Sequence, residues 1–193
     1  ALTRNAPCDL NLRLDLVKNA QEFAKRHSFA YHSNVLSRIK QEIAQLKQMV
    51  KHIRSELSTA QMVALAYPDR IGKRRQGESP RYLLSSGKGA MFLSADALGQ
   101  APLIVATRMD GKQKEAGIRQ AISITENEIR QLFEKQIKSA TRCEWSRRDA
   151  RVMSHSEENL GAIALSHRVW KDVPQETVAR AMLTGIREIG LCL

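Results

Sequence analysis

The chain has 193 residues, enough to bury a real core as one large domain or two small ones. Its 42% hydrophobic and 26% charged residues suit an ordinary globular protein, but a net charge of +11 and a sequence pI ≈ 10.0 predict a positive surface that draws phosphate-rich partners and releases them as salt rises. No apolar run is long enough for a membrane span and no signal-peptide core opens the chain. Cys8, Cys143 and Cys192 lie too far apart to suggest a disulfide framework or a zinc site, so they read as reduced thiols of a cytoplasmic protein.

Asp9 can cap a helix running to about His27, with Leu10, Leu14, Val17 and Phe23 among its apolar positions. A second helix follows Ser33. Leu36, Ile39, Ile43, Leu46, Val50, Ile53 and Leu57 recur at threes and fours, with Lys40, Lys47, Lys51 and Arg54 on the other side. Thr59 can cap a short third helix that ends at Tyr67-Pro68, because the residue before proline avoids helical geometry.

From Arg70 the pattern turns strand-like. Candidate strands are residues 70–74, 81–85, 89–93, 103–107 and 118–124. Ser85 to Gly89 supplies a hairpin turn, and Asp110-Gly111 opens a polar loop. Five short strands at this spacing suit a small barrel of the oligonucleotide-binding (OB) type. Thr125 and Glu128 then form a capping box for a helix with Ile129, Leu132, Phe133 and Ile137 on one face. Strands are expected at 142–146, 150–155 and 160–166, and Pro174 opens a last helix with Val178, Ala181, Met182 and Ile186 inward and Gly190 past its end. The expected fold is therefore α+β: a helical-bundle fragment over residues 1–61, an OB-fold-like small β-barrel over 62–124, and a strand and helix extension over 125–193.

The residues that carry chemistry are cations. Arg70, Lys73, Arg74, Arg75, Arg81 and Lys88 fall on the first strands and their turn, and Lys112, Lys114 and Arg119 on a later loop and strand; on a barrel they can line one groove and neutralise successive phosphates. Tyr82, Phe92 and Trp145 are assigned to the core, so backbone contact is expected over base reading. Arg142, Arg147, Arg148 and Arg151 are read as decoration of a hairpin.

No catalytic constellation is legible. A phosphate loop needs a Gly-rich cradle followed by Lys and Ser or Thr, and neither Gly87-Lys88-Gly89 nor Gly111-Lys112-Gln113 supplies it. The serine-hydrolase elbow Gly-x-Ser-x-Gly is absent. His27, His32, His52, His155 and His167 include no i,i+4 pair for a metal on one helix, so no metal is expected; Glu157 and Glu158 read as a solvated loop pair.

Several segments carry a resemblance when taken in order. They are LAYPDRIGKRR (65–75), RYLLSSGKGA (81–90), LIVA (103–106), IRQAISI (118–124), ENEIRQLF (126–133), Trp145, LGAIALS (160–166) and TGIREIGL (184–191). The series from Met62 to the C-terminus resembles the C-terminal region of the HrpB branch of bacterial DExH-box RNA helicases. Ser86 and Lys88 stand where that branch is expected to carry asparagine and arginine. Before Gln61 the likeness is one of helical pattern. The resemblance, with an opening at Ala1 that lacks an initiator methionine, implies a piece of a larger ATP-dependent helicase whose two motor domains, with ATP and magnesium, lie upstream. No cofactor is expected in this fragment. It implies single-stranded RNA as partner, with DNA left open, and a role of holding the strand by its phosphates. The alternative is a basic module without catalysis that receives a protein partner.

Overall fold

The computed structural model describes residues 1–3, 6–50, 56–77, 79–111 and 115–190. The chain divides into two compact units, Ala1–Leu132 and Phe133–Leu193. The boundary expected at Gln61 and Met62 falls inside a helix of the first unit.

The first unit opens with α1 (Leu10–Lys18) and α2 (Ala20–Arg26), where one helix was expected. Asp9 caps α1 as read, its carboxylate accepting from the Asn11 amide. The break comes at Asn19, whose extended backbone ends α1 while its side chain accepts from the Glu22 amide and starts α2. Capping thus outweighs a continuous apolar pattern. Leu16, Phe23 and Leu36 form a small core, the last from α3 (Ser33–Met49). The apolar stripe of α3 is only half used: Ile39 and Ile43 are half-buried, while Leu46 and Val50 are exposed. Lys51, Ile53 and Arg54 lie outside the described residues, and Leu57 lies outside any helix.

Helix α4 (Thr59–Ala66) is capped by Ser58 rather than Thr59, in a full capping box with Gln61. It ends at Tyr67 before a 3₁₀ turn, Pro68–Arg70. The barrel follows: β1 (Ile71–Arg74), β2 (Arg81–Leu84), β3 (Gly89–Phe92), β4 (Leu103–Asp110) and β5 (Ala116–Ser123). Its strands close in the order β1-β2-β3-β5-β4, with β1 antiparallel to β4 and β3 parallel to β5. The alternation legible in the sequence sets the faces. Tyr82, Leu84, Ala90, Phe92, Ile104, Ala106, Ile118 and Ala121 fill the interior. Gly72 also faces inward, since a Cβ there would stand 3.0 Å from Leu84 Cδ2.

Tyr82 is fully buried, and its hydroxyl lies 2.9 Å from the carbonyl oxygens of both Leu98 and Ala101. Its ring meets Phe92 edge-on. Both rings are core, as read. Burial pushes the phenol up to about 12, so it stays a donor at neutral pH. Exchange of Tyr82 for Phe takes this donor from the Ala101 carbonyl, while the Leu98 carbonyl keeps the Ala101 amide at 3.0 Å, and is expected to cost about 1–3 kcal/mol, read from urea denaturation followed by circular dichroism.

The N-terminal segment is bound to this barrel. The Ala121 amide donates to the Cys8 carbonyl, and the Cys8 amide donates to Asp96 Oδ2 at 2.6 Å. Burial, with Asp96 beside it, raises the Cys8 thiol to about 11 and keeps it protonated. Helix α5 (Glu126–Phe133) closes the unit with the expected capping box: the Thr125 amide and hydroxyl both donate to Glu128, and the Glu128 amide donates back to Thr125 Oγ1.

The second unit contains β6 (Lys138–Ser146), β7 (Arg151–Leu160) and β8 (Ile163–Val169) in one antiparallel sheet, followed by α6 (Gln175–Ile189). β6 and β7 are longer than read, and β8 begins three residues later than read. Glu157 and Glu158 lie within β7 and not in a loop, because β7 is polar on both faces and shows no apolar alternation. In α6 the buried positions are Ala181 and Gly185, whereas Met182 and Ile186, expected in the core, are exposed. The reason is Trp145. Its indole lies directly against the Cα of Gly185, so only a small-residue face can approach β6.

Candidate nucleic-acid interface

Three of the expected cations, Lys73, Arg75 and Arg81, meet on the outer face of β1 and β2. Since Gly72 points inward, alternation turns Lys73 and Arg75 outward, and since Tyr82 points inward, Arg81 turns outward. Register places Lys73 beside Leu83 and the Arg75 amide on the Arg81 carbonyl at 2.8 Å, so the three cationic side chains share one surface. Leu83 and Met91 lie half-buried between them, and Leu93 is exposed.

A carboxylate sits in the same surface. Glu115 places Oε1 4.0 Å from Arg75 Nη1 and Oε2 3.5 Å from Arg81 Nε, with all three side chains partly open to solvent. Gly89 makes room for it; a Cβ there would meet Glu115 Cγ at 3.1 Å. Alternation also turns Arg119 outward on β5, where it is held by Asp110 at 3.1 Å; that carboxylate also accepts from the Gly117 amide. Glu115 and Asp110 were not singled out from the sequence, though the pairing of β3 with β5 brings the former to the arginines.

The remaining candidates are placed differently. Arg70 is absorbed into the structure: Nη1 donates to the Thr107 carbonyl at 3.0 Å and the guanidinium lies 4.8 Å over the Tyr67 ring. Arg74 faces the barrel end, its Nε buried without a hydrogen-bond partner. Lys88 is exposed in the β2–β3 turn, where Gly87 takes φ 86 and donates its amide to Leu84. The neighbouring Ser85 and Ser86 amides are used by Ile71 and Asp69, so this turn presents no phosphate cradle. Lys112 and Lys114 lie outside the described residues. In the second unit Arg147 binds Glu188 at 2.7 Å and Arg148 approaches Asp149 at 4.0 Å, while Arg142 and Arg151 are exposed. Sequence reasoning missed one further gathering, of His155, Glu157 and His167, because it tested only helical spacing.

A closed five-stranded mixed barrel with a basic outer surface, set in an α+β chain, defines an OB-fold-like domain. Comparison with known proteins gives the class a particular form. The chain is 27% identical over 134 residues to the ATP-dependent RNA helicase HrpB of Escherichia coli (strain K12), covering 68% of this chain and 16% of that protein. Crystal structures of the E. coli DExH-box NTPase HrpB and of the Escherichia coli DEAH/RHA helicase HrpB match 98% of this chain and 22% of theirs. Their TM-scores are 0.63 and 0.62, at 23% and 21% identity. No protein-family model matches. The chain thus spans less than a quarter of the proteins it is similar to. The resemblance read from the sequence to the C-terminal region of HrpB is borne out, and the likeness of fold takes in nearly the whole chain. Among the described residues no helix is long and apolar enough to cross a membrane.

Proposed function

We propose that this chain is the nucleic-acid-binding accessory region of a cytoplasmic ATP-dependent RNA helicase, holding a single strand while motor domains elsewhere in the parent protein hydrolyse ATP with magnesium. The observation that carries this reading is the shared surface of Lys73, Arg75 and Arg81 on the barrel. Successive phosphates resting there exchange condensed counterions for fixed cations, so binding is electrostatic and largely independent of sequence. The rings suited to base stacking, Tyr82 and Phe92, are consumed by the core, which leaves the sugar-phosphate chain as what is held. DNA of one strand presents the same phosphates and is expected to bind by the same means.

The test is a salt titration of fluorescent single-stranded RNA with the purified chain. Log affinity should fall linearly with log salt, by about 0.7 for each phosphate neutralised on a single strand, and replacing Lys73, Arg75 and Arg81 together with alanine should remove most of the slope. Absence of binding at low salt, or binding untouched by the triple variant, overturns the reading. It would favour a protein partner instead, a reading to which the exposed Leu46 and Met49 of α3 and Val50 just past its end lend support. No ATP turnover is expected from the chain alone.

A further inference from the structure

We propose that His155, Glu157 and His167 form a binding site for a divalent cation of the zinc class. His155 and Glu157 are two apart on β7 and so share a face, and register sets His167 of β8 directly opposite Glu157. Both imidazole Nε2 atoms converge on one carboxylate oxygen, Glu157 Oε1, at 3.5 Å from His155 and 3.7 Å from His167. The ligand atoms of all three lie within 4.8 Å of one another.

These separations fit a metal well. A tetrahedral ion with bonds of about 2.0–2.1 Å sets its ligands roughly 3.4 Å apart, so two of the three spacings need to close by only a few tenths of an ångström. The two imidazoles stack with centroids 4.7 Å apart, inclined 21°, which leaves their nitrogens side by side. Two neutral imidazoles and one carboxylate are borderline ligands that suit zinc, and magnesium or calcium would want oxygen in their place.

The site is fixed on one side and open on the other. The side chains of His155 and Glu157 are 16% and 24% exposed and held on a strand paired on both edges, while His167 is 62% exposed. Cys143 and Trp145 face α6 on the opposite side of the sheet, so neither supplies a fourth ligand, and that position is left to water or to a group brought from outside. Arg142 stands across from His155 on the same face, and its charge opposes a cation there. The ion would tie β7 to β8 across their ladder.

The test uses the whole chain. Zinc is titrated by calorimetry, and cobalt by its visible ligand-field bands. One equivalent of zinc is expected, with cobalt giving nitrogen and oxygen coordination and no sulfur charge-transfer band. H167Q, at the exposed position, should fold normally and lose at least tenfold in affinity, as should E157Q, and C143S should change nothing. Zinc should raise the melting temperature of the wild-type chain and leave that of H167Q unmoved. Lack of zinc binding, equal binding of magnesium, or zinc binding undiminished in H167Q and E157Q would each overturn the site.

Discussion

Gly185→Ala is expected to destabilise the strand and helix unit, although alanine is the better helix former. A methyl group at this position would overlap Trp145 Cδ2 and stand 2.7 Å from Cε2 and Cε3, all atoms of a rigid ring. Nothing there can swing aside as the end of a flexible chain would. The helix must lift or the indole must rotate, and overpacking of this kind costs about 1–3 kcal/mol beyond the roughly 1 kcal/mol that alanine gains in a helix interior. For a unit of this size each 1 kcal/mol moves the midpoint by about 4–8 °C. Both tryptophans, Trp145 and Trp170, lie in this unit, so a thermal melt followed by tryptophan fluorescence reports on it alone. A midpoint at or above that of the parent chain would show that the contact is not limiting. Trp145→Leu in the Gly185→Ala background should recover part of the loss, since a smaller side chain leaves room for the methyl group.

Glu115→Gln is expected to tighten the grip on single-stranded RNA. The carboxylate lies between Arg75 and Arg81 where a phosphate would otherwise sit, and a phosphate must displace it. The amide keeps the shape and removes the charge, and ion pairs this exposed contribute little to stability, so the fold should be unaffected. Freeing both guanidinium groups should raise affinity by several-fold up to about tenfold near 0.1 M salt and steepen the salt dependence by about one further phosphate. A gain is the more telling outcome because a damaged protein does not bind better. Equal affinity and equal slope for the two proteins would mean that RNA does not lie on this surface, whatever the triple alanine variant does.

How much of this was legible in the chain depends on whether a signal was local. The barrel strands show alternation and turn residues over short windows, so their positions were read within a few residues. The Thr125 and Glu128 box was read outright because its parts are three apart. Asn19 was passed over, since the apolar pattern runs through it and its capping role appears only once the helix breaks. The inward side of α6 was misread for a related reason: Met182 and Ile186 are the larger apolar residues, but the space is set by an indole on another element. Cations at Lys73, Arg75 and Arg81 follow from strand alternation, whereas the opposing Glu115 depends on a parallel pairing that no stretch of sequence announces. His155 and Glu157 sit two apart in plain view, yet His167 joins them only through the register of β7 with β8.

The barrel's strands form a ring in which β1 is paired with both β2 and β4 and β3 with both β2 and β5. The short strands β1, β2 and β3 are thus paired on both edges, so a polymer lying on Lys73, Arg75 and Arg81 cannot be zipped on there as an extra strand. On the proposed reading a single strand laid there would be gripped by side-chain tips, a hold that ionic conditions can loosen and that would let the strand slip without unmaking a backbone ladder.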